Sequence, residues 1–229
     1  MNPSTDESGV GSVRRAGRPR KKVLSRAKIV AEAMELLAER GPKGLTIAAL
    51  ADSLGVAPSA IYNHVGSKRE LLIYVQDHLI HGVDYAGFDG LSWEGGVRRW
   101  ARSARDAFAG HPDLVPMYAV MPVTDSRAVL AMYDTVIAGF AAAGWPESTI
   151  LSAVVAVESF VLGSALDANA PGDVFDAGEL TAEYGALAGA VAADATRSTQ
   201  SRADRAFDAG LDALILGLQS MLAATRNET

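Results

Sequence analysis

Apolar residues recur every three to four positions along almost the whole chain, and no segment alternates convincingly with period two. Such a pattern can bury one continuous face only as α-helix, so the expected fold class is all-α. Ile29, Ala33, Leu36 and Leu37 make the first stripe, with Ser25 as its cap and Gly41-Pro42 as its stop. Thr46 can cap a second helix carrying Ile47, Leu50, Ala51 and Leu54. Gly55 breaks that run, a short third helix holds Ile61 and Val65, and Lys68 opens a fourth with Leu71, Leu72, Val75 and Leu79 inward.

The remainder repeats the theme without an internal sequence repeat. Trp93, Val97, Trp100, Ala104 and Phe108 form one stripe, and a short helix is expected over 112–120. Further helices are expected over 125–143, 147–168, 179–195 and 202–224, with a loop at residues 169–178. The most apolar stretch, Ile150 to Leu166, carries Glu158 near its middle, and a spanning helix would need about 20 apolar residues with few or no charges. A buried helix is the expectation there, in a cytoplasmic protein with no membrane partner.

The 229 residues contain no cysteine, which excludes a disulfide framework, a thiolate zinc finger, an iron–sulfur cluster and a cysteine nucleophile. No GxSxG, P-loop or GxGxxG motif occurs. His78 and His81 stand three apart, but no HExxH or second cluster of ligands accompanies them, and a solvated face explains them as well. No enzyme, cofactor or metal site is expected.

Charge is divided along the chain. From Ser8 to Glu70 the formal charge is +7, whereas from Leu71 to Thr229 it is −11. Eight of the cations fall between Arg14 and Lys28 with no acid among them. A basic end on an acidic body fits a first part that meets a polyanion, although a solubilising tail has the same composition.

The block from Thr46 to Lys68 gives that charge a purpose. A helix-turn-helix needs two helices crossing steeply at a tight turn. Ala51 is small where they would cross, Gly55 allows positive φ, and Val56 and Ile61 fill the gap between them. An ordinary helical hairpin could match that much. The outward residues Pro58, Ser59, Ala60, Tyr62, Asn63 and His64 go further, being small or hydrogen-bonding and bearing no net charge. Such a face suits the major groove, where Asn pairs with adenine and small groups meet thymine methyls. Lys68 then opens a helix whose free N–H groups favour a phosphate.

At these residues the sequence resembles the tetracycline-repressor family of transcriptional regulators. The resemblance runs from Ala27 to Leu72 through Glu39-Arg40-Gly41, Leu45-Thr46, Leu50-Ala51, Leu54-Gly55-Val56, Ile61-Tyr62-Asn63-His64-Val65 and Lys68-Arg69-Glu70-Leu71-Leu72. It implies phosphate contacts for Thr46, Tyr62, His64 and Lys68, and base-reading or groove-facing roles for Ser59, Ala60 and Asn63. Upstream, Gly17-Arg18-Pro19-Arg20 resembles an AT-hook core, in which Arg18 and Arg20 would enter a narrow minor groove. The implied organisation is a basic arm without ordered structure over residues 1–24, a three-helix DNA-binding domain over 25–72, and a larger helical ligand-binding and dimerisation domain over 73–229.

The resemblance continues more weakly over Trp93 to Ala224. Ala153–Asp167 looks like the family's eighth helix and Phe207–Leu222 like its tenth, which together make a four-helix dimer interface. The family resemblance therefore implies a homodimer on palindromic operator DNA, released by a small-molecule effector. Candidate effector contacts are Trp100, Phe108, Met117, Tyr118, Met121, Tyr133, Phe140, Glu158 and Phe160, each of which could also be plain core. The repressor that gives the family its name holds magnesium–tetracycline through histidines and an acid. Asp167 falls at the acid, but Asp84 and Tyr118 stand at the histidine positions and Met121 at a hydroxyl position. A metal-independent, largely hydrophobic effector is expected; a DNA-binding regulator with no effector is the alternative.

Overall fold

The computed structural model describes residues 24–88, 90–197 and 199–227, side chains extending to residue 225. Arg18, Arg20 and the rest of the basic arm lie outside the described residues. Ten α-helices, joined by four short 3-10 turns and no strand, make up what is described. The chain is all-α.

The first four helices are delimited by their caps. Ser25 Oγ accepts from the Lys28 N–H at 3.4 Å and starts α1 (Arg26–Gly44). The helix breaks at Gly41, whose φ of +65° suits glycine, and Pro42 begins one more helical turn. Thr46 Oγ1 accepts from Ala49 N–H at 3.0 Å at the head of α2 (Ile47–Leu54). Gly55 ends α2 in the left-handed region with φ of +66°, and α3 (Pro58–Tyr62) follows with Pro58 at its first turn. Ser67 caps α4 (Lys68–His81) at 3.1 Å, while Glu70 reaches back to the Gly66 N–H at 2.7 Å. This reciprocal cap satisfies donors that a helix start leaves open.

The body consists of α5 (Trp93–Ala109), α6 (Val115–Tyr118), α7 (Arg127–Ala142), α8 (Glu147–Asp167), α9 (Gly185–Ala195) and α10 (Arg202–Asn227). The expected 112–120 helix is a 3-10 turn over Pro112–Leu114 running into the four-residue α6. The helix expected from residue 125 begins at Arg127, because buried Ser126 is its cap and accepts from Val129 N–H at 3.0 Å. The helix expected over 179–195 divides into a 3-10 turn over Gly178–Ala182 and α9.

One apolar cluster runs from Ile29 in α1 to Leu222 in α10. Within it α1 packs on α2 and α4, α4 on α7, and α5 lies along α8, which in turn meets α7 and α10. The first four helices are therefore seated on the body through α4 and through α1, which meets the Pro112–Leu114 turn. Two helices, α8 and α10, are long and apolar enough to cross a membrane by length and composition, and about a third of each apolar window is buried in the single chain.

Candidate nucleic-acid interface and effector site

Ile61 and Val65 are sealed in the core, and their burial fixes which way α3 faces. Thr46, Pro58, Ser59, Asn63 and Lys68 are exposed, Tyr62 is 54% exposed, and Ala60 and His64 are half-buried. All eight residues of the expected DNA face thus come together around the start of α2, along α3 and at the start of α4. Lys68 Nζ donates to the Pro42 carbonyl at 3.1 Å, bridging the end of α1 to the start of α4. Ser53 bonds Glu32 and ties α2 to α1 from the other side.

Behind that face sits a second cluster. Arg26 lies 4.4 Å over the Tyr74 ring, and the Tyr74 hydroxyl donates to Glu70. The Tyr74 bond, joined by the Gly66 N–H, holds the Glu70 carboxyl below its usual range. The start of α4 is therefore a charged, pre-bonded helix end rather than a loose one.

The expected effector contacts do not form one group. Phe108 and Tyr118 pack at 4.5 Å between ring centroids, and the Tyr133 hydroxyl donates to Glu158. These four belong together. Phe140 instead joins Trp93, Trp145 and Phe88 in a separate aromatic knot. Phe160 stacks on Phe207 at 5.5 Å, on the α10 side of α8. Met121 lines a cleft of 390 Å³ with Lys68, Arg69, Leu72, Ile73, Pro122 and Asp125. Trp100 is buried with an unbonded Nε1, and Met117 is half-buried against the core.

Around Glu158 the electrostatics are unusual for a helix so apolar. Burial pushes the Glu158 carboxyl up, opposed in part by the Tyr133 bond. Burial also raises the Tyr118 and Tyr133 phenols well above their ordinary range, reinforced at Tyr118 by the Glu158 charge and at Tyr133 by the neighbouring Tyr118. The two acids at the family's chelate and histidine positions are otherwise engaged. Asp167 accepts from Arg202 at 2.8 Å and Asp84 from Arg99 at 2.7 Å.

Several polar contacts carry no local sequence signal. Arg98, Arg102 and Arg105 on α5 pair with Asp212, Asp208 and Asp204 on α10 in antiparallel order. Arg105 is 6% exposed and lies 4.7 Å over Phe207. The matched spacing of arginines and aspartates was visible in principle, but which helices face one another was not. A cleft of 720 Å³ lies between the 172–176 segment, α9 and the first turn of α10.

Comparison with known proteins settles what this arrangement belongs to. Residues 29–75 match the model described as bacterial regulatory proteins, tetR family, and residues 89–222 match the tetracyclin repressor-like C-terminal domain. The chain belongs to the TetR family. A helix-turn-helix transcriptional regulator of Saccharopolyspora erythraea is 31% identical over 166 residues, covering 70% of this chain and 69% of the relative. The class A tetracycline repressor from transposon 1721 in Escherichia coli is 29% identical over 206 residues, covering 87% and 92%. Among solved structures, TetR from Acinetobacter baumannii is 26% identical with a TM-score of 0.61, over 87% of this chain and 99% of that one. A variant of that protein is solved in complex with minocycline. As a TetR-family member the chain is a DNA-binding transcriptional regulator.

Proposed function

We propose that the chain is a repressor that binds palindromic operator DNA as a homodimer and is released by a small, largely apolar effector. The observation that carries this reading is the α3 face. Exposed Ser59, Tyr62 and Asn63 surround buried Ile61, with Thr46 and Lys68 on either flank. Ser59, Ala60 and Asn63 read base edges, whereas Thr46, Tyr62, His64 and Lys68 hold phosphates. Pro58 sets the approach of the helix, and Arg18 and Arg20 enter the adjacent minor groove. Residues 25–72 form the DNA-binding domain and 73–229 the effector and dimer domain.

Pairing is supported by α8 and α10. Leu151, Val155 and Leu166 on α8, with Leu216 and Met221 on α10, are exposed, and apart from the local helix backbone nothing lies within 4 Å of where side chains at Gly163 or Gly217 would begin. Apolar helices with such open glycines accept a second copy at close range. The two α3 helices then read half-sites about 34–36 Å apart. An effector that binds better to a dimer with another spacing shifts the population off DNA.

The effector site centres on Phe108, Tyr118, Tyr133 and Glu158. Trp100, Met117, Met121, Phe140 and Phe160 are outlying candidates. Pairing of Asp84 and Asp167 with arginines supports binding without magnesium. Selection of bound sequences from random DNA tests the whole reading. A two-fold motif with that half-site spacing is expected, and absence of sequence preference at low salt overturns it.

A further inference from the structure

Seven aspartates, at positions 84, 125, 167, 194, 204, 208 and 212, are each paired with an arginine. Glu158 is more withdrawn from solvent than exposed acids need be, yet among the described residues no basic side chain bonds to it. Its hydrogen-bond partner is the neutral Tyr133 hydroxyl. One turn away in either direction stand Val154, Val155, Val161 and Leu162, so its own helix offers no compensating charge. Burying a carboxylate without a counter-charge is costly, which marks this acid as one awaiting a partner.

The orientation of the cluster says what kind of partner. The Tyr133 phenolic proton is spent on the carboxylate, and the Tyr118 hydroxyl lies beside Tyr133 with its ring against Phe108. A carboxylate offers about four acceptor positions and Tyr133 fills one. What remains on offer is acceptor capacity and a negative charge. Both favour a donor and a cation, and both disfavour an anion.

We propose that Glu158, backed by Tyr133 and Tyr118, is the polar end of the effector site and selects an effector with a protonated amine on an aromatic or aliphatic body. This rests on the effector-responsive reading above and adds the ligand's charge to it. The ammonium donates to the free Glu158 oxygens, and the body lies against Phe108 and the neighbouring valines.

Calorimetric titration of the full chain with naphthylmethylamine, naphthylmethanol and naphthoic acid tests this at neutral pH. The three probes share one apolar body and differ in charge. The amine is expected to bind about tenfold more tightly than the alcohol, the scale of one charge-assisted hydrogen bond, and the acid most weakly. Glu158→Gln should abolish the preference for amine over alcohol while circular dichroism and oligomeric state stay unchanged. Tyr133→Phe should weaken amine binding less than Glu158→Gln does. The proposal is overturned if the alcohol or acid binds as well as the amine, if none of the three binds, or if Glu158→Gln keeps the preference. Dissociation of the oligomer by Glu158→Gln would assign the residue to the subunit interface and overturn it too. Operator selection without any probe separates the two readings: sequence-specific DNA binding with no amine preference defeats this inference alone.

Discussion

Arg69 Nε donates to Asp125 Oδ2 at 3.0 Å, joining the first turn of α4 to the 3-10 turn that follows Pro122. The pair closes one side of the cleft containing Met121 and ties the DNA-facing helix end to the body. Arg69 is 71% exposed, so the bond adds at most about 1 kcal/mol to stability. Asp125→Ala should therefore move Tm by less than about 4 °C. Its expected effect is local, with faster amide hydrogen exchange at the start of α4 and none deeper in α5 or α8. A large global loss of stability would show that the contact does more than position α4.

Lys68 and Asn63 should separate two kinds of DNA contact. Lys68→Ala should weaken binding to all sequences alike and reduce the slope of log affinity against log salt by about one. Asn63→Ala should leave that slope alone and cost about 1–3 kcal/mol at a single base pair of each half-site. Fluorescence anisotropy with operator variants over a salt series distinguishes them. Equal behaviour of the two variants would refute the division of roles along α3.

The first four helices were readable because their constraints are local. A cap, an apolar stripe and a glycine with φ of +66° each act within a few residues, so Thr46, Gly55 and Ile61 announce their positions without knowledge of the rest. The DNA face could be read with them, since burying Ile61 and Val65 turns Ser59, Tyr62 and Asn63 outward. The effector residues were a different matter. Phe108, Phe140 and Phe160 all carry the same helical spacing signal, but Phe140 meets Trp93 and Trp145 while Phe160 meets Phe207. Which aromatic faces which neighbour depends on how α5, α7, α8 and α10 are arranged, and periodicity is silent on that. The Arg105–Asp204 pair, with 106–114 residues separating the partners of the two other α5–α10 rungs, was hidden for the same reason.

Glycines in the body divide into those that are filled and those that are open. A methyl group at Gly139 would fall 2.2 Å from the Phe88 ring, and one at Gly96 would fall 2.5 Å from it. Phe88 is wedged between α5 and α7 at these two positions. Gly139→Ala should thus cost about 1–3 kcal/mol by overpacking, read as a lower Tm. Gly163 has open space instead, so Gly163→Leu should leave the monomer fold intact and raise the dissociation constant of the dimer. Sedimentation at several concentrations checks the second outcome. A more stable Gly139→Ala protein would mean that Phe88 can vacate its seat.

The α5–α10 ladder predicts how the protein responds to acid. Ser201 and then Arg105 hold the Asp204 carboxyl below its ordinary value, and Gln200, with Arg102, does the same for Asp208. A carboxyl whose native value is depressed binds fewer protons when folded than when unfolded. Its contribution is therefore complete above its unfolded value near pH 4 and fades as the pH falls through the lower native one. The rungs differ in what that loss exposes. Arg98 is 39% exposed and can turn to water in the absence of Asp212, whereas the Arg105 side chain is 7% exposed and has Nε and Nη2 already without partners. Removing the partner of a buried charge is far more damaging than removing a surface one. Asp204→Ala should accordingly cost about 3 kcal/mol at neutral pH, while Asp212→Ala should cost under about 1 kcal/mol. Thermal melts of both variants and the parent from neutral pH down to about pH 3 should show the Asp204→Ala curve flattest across the acid limb, since that variant has already lost what acid removes. Equal losses in the two variants would place Arg105 in contact with solvent and remove the reason for treating its rung as special.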